Sequence, residues 1–327
     1  MTTLLRTVLL LALPASGKSE VRRYLAHLSP EQAREEFHMG PTVQLDDFPY
    51  VHLMRRADDE LAALGEKRLF FQSPERPMLD GRDWGTLIAL VNEDYEDLVA
   101  KKPYQVASAA ELFLDRLEAA AASVGIAPRL AKLAPATRRA LADKLEPEAR
   151  QQLDEKVAGY PDTLEGKTLV VEFARGGPDG STLPLSSPLG YQHSLALLSK
   201  PLLESAAILY VWVTPEESRR KNQARTNPDD PGSILHHGVP IAVMLEDYGC
   251  DDMGWLEEHG RAPSTVPVSA HGTTFDVPIA RFDNRVDKTS FLRAPRDEWK
   301  PEDVRAVHEG LRSALDKLAA MTSKSAS

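Results

Sequence analysis

Val8-Leu9-Leu10-Leu11-Ala12-Leu13-Pro14-Ala15-Ser16-Gly17-Lys18-Ser19 decides the fold of this 327-residue chain. The apolar run predicts a strand covered on both faces, as in the middle of a parallel sheet. After it, Val21, Tyr24 and Leu25 share one side of a helix running from Lys18 to about His27. The residues between, Ala12 to Ser19, read as a loop that holds phosphate. In such a loop backbone N–H groups and the positive end of a helix dipole converge on one point. Lys18 then reaches the outer phosphates of a nucleoside triphosphate, and Ser19 offers its hydroxyl to magnesium. Pro14, Ala15, Ser16 and Gly17 complete the expected cradle. The pattern calls for glycine where this chain has Ala12, which fits without strain if its φ is negative. The plainer alternative is that Gly17-Lys18-Ser19 merely opens a helix, but strand, loop and helix signals follow in the order the mechanism needs. Arg6 and the apolar run imitate a secretory leader, yet the run is short for one.

Hydrophobic residues make up 42% of the chain and charged residues 27%, with a net charge of -10. This predicts a soluble globular protein that does not bind polyanions over its whole surface, so nucleic acid is not the default partner. Cys250 is the single cysteine. It excludes an internal disulfide and a cysteine-rich zinc site, which fits a cytoplasmic location. No run approaches the roughly 18 to 20 apolar residues needed to span a membrane. The Ser- and Ala-rich stretch 321–327 reads as a disordered tail.

Further charged groups fall where strands end. Pro41 to Leu45 forms a short strand followed by Asp46 and Asp47. In a parallel sheet ligands bind at the carboxyl ends of strands. One of the two aspartates is expected to cap the next helix, leaving the other to accept a proton from an attacking hydroxyl or to hold magnesium through water. Lys167 to Phe173 forms a buried strand that presents Glu172, the second expected metal ligand after Ser19. Arg175 would pair with Glu172 or with a substrate anion. Ala206 to Val213 is another apolar strand, followed by Thr214, Pro215 and Glu217, spaced as a capping box. On that helix Arg219, Arg220, Lys221 and Arg225 form a basic cluster, and Arg219 and Arg225 are expected to neutralise charge developing in a transition state. His236-His237 lies in a turn-rich loop and is no metal signal, since neighbouring side chains diverge. Val277 to Phe282 is read as a fifth strand, followed by Asn284-Arg285-Val286-Asp287, and a helix from Pro301 to about Leu318 packs on the sheet.

Residues 55–162 are helical by pattern. Ala109, Leu112, Phe113, Leu117 and Ala120 lie along one helix face. The length exceeds a simple crossover, so the expected organisation is a core of residues 1–54 and 163–320 with a helical insertion, 55–162, covering the acceptor side. Phe70-Phe71-Gln72 and Arg82-Asp83-Trp84 are candidate pocket residues there, though core packing accounts for the aromatics equally well.

Together the phosphate loop, the Asp pair, Glu172 and the basic helix resemble the P-loop kinases of the adenylate-kinase-like and nucleoside/sugar-kinase group. That resemblance implies an α/β three-layer sandwich with a five-stranded parallel sheet in the order 2-3-1-4-5. It also implies ATP and Mg2+ and transfer of the γ-phosphoryl group to a small-molecule hydroxyl. In that group the carboxylate after strand 2 contacts the acceptor, matching Asp46 or Asp47, and the basic segment after strand 4 forms a lid, matching Arg219 to Arg225. Asn284 to Asp287 also resembles a weak form of the guanine-reading motif of GTPases, which makes Asn284 a nucleotide-binding candidate. Glu172-Phe173-Ala174-Arg175, however, lacks the Asp-x-x-Gly of those proteins. The alternative function is a nucleotide-binding switch or slow NTPase, using ATP or GTP, that engages a protein partner through the helical insertion. A kinase acting on a nucleic-acid end or on a nucleotide-sugar is a third reading, the first of these disfavoured by the acidic surface.

Overall fold

A computed structural model describes residues 3–225 and 238–325, and the side chain of Arg225, together with His236 and His237, lies outside what it describes. Six strands form one sheet: β1 (Thr7–Leu11), β2 (Thr42–Asp46), β3 (Thr168–Phe173), β4 (Ala206–Trp212), β5 (Thr265–Ala270) and β6 (Thr273–Asp283). Their order is β2-β3-β1-β4-β6-β5. All neighbours are parallel except β5, which runs antiparallel to β6. The fold is thus α/β with a mixed, mostly parallel sheet of six strands, and not the expected five. The missed strand is β5. His271 at φ 52° and Gly272 at φ 74° both adopt the left-handed conformation, which closes a two-residue hairpin whose twist matches the flanking strands. The stretch read as a fifth strand is the second half of β6, and the five parallel strands keep the expected order.

Twelve helices are present among the described residues. They are α1 (Lys18–Ala26), α2 (Pro30–Phe37), α3 (Phe48–Ala63), α4 (Asp83–Ala100), α5 (Ala109–Ser123), α6 (Pro135–Ala158), α7 (Gly190–Ala196), α8 (Lys200–Ser205), α9 (Pro215–Arg225), α10 (Ile241–Glu246), α11 (Met253–Glu258) and α12 (Pro301–Ser325). Alternation along β1 sends its residues into two cores, as a strand with both faces covered requires. Leu9 and Leu11 pack with Val91, Tyr191 and Leu195 of α4 and α7 on one face. On the other, Val8 and Leu10 pack with Val21 of α1 and Val307 and Leu311 of α12. A third core, built from Leu53, Met54, Leu87, Phe113, Leu117, Leu141 and Leu145, joins α3, α4, α5 and α6.

Two expected boundaries shift. Helix α3 runs unbroken across residues 54 and 55, so the insertion begins within a helix that starts at the sheet edge. Helix α12 continues through Ser325 where a disordered tail was expected from residue 321. The Thr322 hydroxyl donates to Leu318 O at 3.1 Å and the Ser323 hydroxyl to Ala319 O at 2.7 Å, so these polar side chains bond back onto their own helix. Among the described residues no helix is long and apolar enough to cross a membrane.

Candidate functional site

The β1–α1 loop is buried from Ala12 to Gly17. Within it Ala15 at φ 56° and Gly17 at φ 108° are left-handed, whereas Ala12 is not, so the missing first glycine costs no strain. Left-handed residues interspersed with ordinary ones turn successive N–H groups toward one side, a concavity suited to an anion. A Cβ on Gly17 would lie 2.5 Å from Thr289 Oγ1 and 2.9 Å from Asn284 Nδ2. The position therefore needs glycine twice, for its conformation and for space.

The loop is fastened from two distant segments. Ser218 of α9 donates through Oγ to Pro14 O at 2.7 Å. Asn284, fully buried, donates through Nδ2 to Ser16 O at 2.7 Å and to Thr289 Oγ1 at 2.9 Å, while its Oδ1 accepts from Lys288 N at 2.7 Å. The Asn284 side chain thus braces the loop from behind. Lys18 Nζ donates to Ala12 O at 3.4 Å. Ser16 Oγ is buried and has no protein partner.

Across the sheet edge, Asp46 and Glu172 are paired in register on β2 and β3. Arg22 bridges them, with Nη1 2.9 Å from Glu172 Oε2 and 3.4 Å from Asp46 Oδ2, and it also contacts Gln44 Oε1. The two adjacent aspartates have different surroundings. Asp46 caps the turn, accepting from Phe48 N at 2.8 Å, and keeps 26% of its side chain exposed. Burial, with Glu172 and Asp47 nearby, pushes its carboxyl up to about 7. Asp47 occupies the cap position of α3 without making a side-chain cap. It is buried against Arg175, whose Nη1 donates to Asp47 Oδ2 at 2.7 Å; burial raises this carboxyl and Arg175 opposes the rise. Arg175 also donates from Nε to Ser194 Oγ at 3.0 Å and lies over the Trp84 ring at 4.9 Å. Arg175 therefore pairs with Asp47 and not with Glu172, the partner that proximity in sequence suggested.

The basic residues of α9 also part company. Thr214 Oγ1 accepts from Glu217 N at 3.2 Å, as a cap should. Lys221 is buried, with Nζ 2.8 Å from Asp287 Oδ1 and 3.1 Å from Thr289 Oγ1; burial lowers its amine and Asp287 offsets part of that. Arg220 pairs with Glu217 at 2.7 Å on the surface. Arg219 lies 3.4 Å from Glu216 and carries one buried guanidinium nitrogen without a protein partner.

A cavity of about 750 Å³ begins at residues 14–20 and runs past Asp46, Asp47 and Glu172 to Tyr50, Arg55, Phe71, Trp84, Arg116, Lys156 and Tyr248. Its size lies within the range of small-molecule sites. Of the candidate pocket residues in the insertion, Phe71 and Trp84 line it. Asp83 is instead buried against Arg129 at 2.7 Å, and Arg82 pairs with Asp80 at 2.6 Å. Arg219 and Asn284 are outside the lining.

Ser19 and Glu172 both line the cavity. One hydroxyl and one carboxylate beside a partnerless Ser16 hydroxyl fit a magnesium ion that takes its remaining ligands from phosphate and water. Among the described residues no group of three or more His, Cys, Asp or Glu side chains forms a closed metal cage. Arg22, Ser218 and Thr289 escaped the sequence reading. Arg22 carried a usable signal, since it follows Lys18 by four residues and so shares its helix face; the other two are brought in by folding alone. No protein-family model matches the chain, and no curated protein or solved structure does either.

Proposed function

We propose that this chain is an ATP- and Mg2+-dependent phosphotransferase of the P-loop kinase type, acting on a hydroxyl of a small molecule. The observation that carries this reading is the single cavity running from the β1–α1 loop past Asp46 into the helical segment. A donor site and an acceptor site must share one water-excluding space for a phosphoryl group to pass between them.

Bound MgATP supplies the transferable γ-phosphoryl group and, through the metal, charge neutralisation at the phosphates. The loop amides and Lys18 hold those phosphates, with Ser19 and Glu172 as the residues for the ion. Asp46 is the acceptor-side base: its oxygens are partly exposed and its raised carboxyl can take a proton near neutral pH. The acceptor O–H loses its proton to Asp46, a new O–P bond forms, and the bond between the γ-phosphorus and the bridging oxygen breaks to release ADP. Asp47, tied to Arg175, holds the start of α3 and thereby the orientation of Asp46. Arg219 stands outside the cavity lining, with its unpartnered guanidinium nitrogen buried. Asn284 spends its amide on Ser16 and Thr289, so it braces the loop and does not read a base.

The test is acceptor-dependent ADP release, followed by coupled assay and phosphorus NMR across nucleosides, sugars and small alcohols, with Lys18→Ala as control. ADP release that tracks an acceptor and yields its phosphoester supports the reading. Release of inorganic phosphate indifferent to every acceptor overturns it in favour of an NTPase.

A further inference from the structure

The charge balance at the far end of the cavity narrows the acceptor's chemistry. Beyond the sheet edge, the described lining contains three cationic side chains, Arg55, Arg116 and Lys156, against the carboxylates of Asp94, Glu155 and Asp247. Arg116 and Lys156 are held in ion pairs. Arg116 donates from Nη2 to Asp94 at 2.7 Å and lies 3.0 Å from Glu93. Lys156 sits 2.7 Å from Asp94 and 2.5 Å from Asp97. Arg55 lies over the Phe71 ring at 3.8 Å and donates from Nη1 to Pro74 O at 3.0 Å. A phosphate or carboxylate on the acceptor that approached Arg116 or Lys156 would have to take the cation from its partner and then leave that carboxylate buried and unpaired, which is strongly unfavourable.

The remaining surface suits an uncharged guest. Tyr50 stacks on Phe113 with ring centroids 6.4 Å apart, and Trp84 meets Tyr248 edge-on at 5.5 Å. These rings give apolar walls for a planar or ring-shaped body. Tyr160 lines the same end and carries a buried hydroxyl without a protein partner, a group able to exchange a hydrogen bond with a neutral polar substituent.

Resting on the kinase reading above, we infer that the acceptor enters this cavity uncharged, as a hydroxylated ring compound bearing no phosphate. The reaction is then the first phosphorylation of its acceptor. Its product, a phosphomonoester, is the substrate for whatever second kinase or phosphoester-using enzyme follows.

Matched pairs test this on the full chain: nucleosides against their monophosphates, and hexoses against hexose phosphates. Each is followed by thermal shift and by acceptor-dependent ADP release, with ATP binding measured separately by calorimetry. The expected result is at least one neutral member favoured over its phosphorylated partner by about tenfold or more in kcat/KM, the size like-charge repulsion supports. Asp94→Asn, which leaves Arg116 and Lys156 without the carboxylate they share, is expected to narrow that ratio while ATP affinity stays unchanged. A preference for phosphorylated members, or silence of every neutral member in a protein that binds ATP, overturns the inference. Loss of ATP binding itself would sink the kinase reading instead.

Discussion

The two ends of the cavity are built on different principles. At the β1–α1 loop the proposed site consists of backbone amides and residues adjacent in sequence, and the rest of the molecule holds their conformation through Ser218 and Asn284. At the helical end the cavity is lined by side chains from α3, α4, α5 and α6, and charge pairs such as Arg116 with Asp94 and Lys156 with Asp97 decide what they offer. A backbone site tolerates changes in surrounding side chains so long as its dihedrals survive. A paired-charge site changes its selectivity whenever one partner is lost. Asp46 and Asp47 show both conditions side by side, one partly open to the cavity and the other locked under Arg175.

Four measurements would break or sharpen that contrast. Asp46→Asn, at the junction, should lower kcat by about 10² to 10⁴, the range for loss of a general base, with ATP affinity preserved. The wild-type kcat/KM should rise with pH through about 7, because the base works only when deprotonated and burial lifts its carboxyl there; the substitution should abolish that limb. If Asp46→Asn retains full transfer, the assignment of roles to the two aspartates is wrong.

Lys18→Ala at the loop end should lower kcat/KM by about 10² to 10³, a typical loss for one preorganised charge-stabilising donor, with no change in chemical denaturation midpoint. Arg175→Ala should act oppositely, on stability first. It strands Asp47 in the interior, which costs about 3 to 5 kcal/mol, readable in urea unfolding. A shift below 1 kcal/mol, or one not largely relieved by also replacing Asp47 with Leu, would show that the pair does not hold the start of α3.

The smallest effect is a pH slope from the helical end. Burial pushes the Asp247 carboxyl up to about 7, above its ordinary value of 3.8. The folded chain therefore keeps a proton that the unfolded chain releases. Its contribution is greatest below about pH 4, declines as pH rises toward 7 and is flat beyond, with a slope of about 1.4 kcal/mol per pH unit between those limits. Asp247→Asn should remove that slope, and denaturation curves for the two proteins between pH 4 and 8 that stay parallel would show that Asp247 is not held protonated.

Much of the loop end was legible in the chain, because strand, loop and helix there are local and their residue types are fixed by geometry: small residues where the backbone turns, glycine at φ 108°, and a lysine and a serine opening α1. The parallel strands were legible as apolar runs, while their order was only what the resemblance to P-loop kinases implied. The hairpin strand β5 was not legible. Its Pro267 and Ser269 interrupt the apolar pattern, and only its pairing with β6 makes it a strand.

What the sequence by itself determined is the identity and order of the chemical groups along the sheet edge: Lys18 and Ser19, then Asp46 and Asp47, then Glu172, then the basic helix. What only the tertiary structure decided is which of them are free to work. Arg175 reaches Asp47 across 128 residues, Arg22 reaches Glu172 across 150, and Asn284 reaches the loop across 268. A charge is made available or consumed by partners at such separations, and no local pattern in the chain records where those partners come to rest.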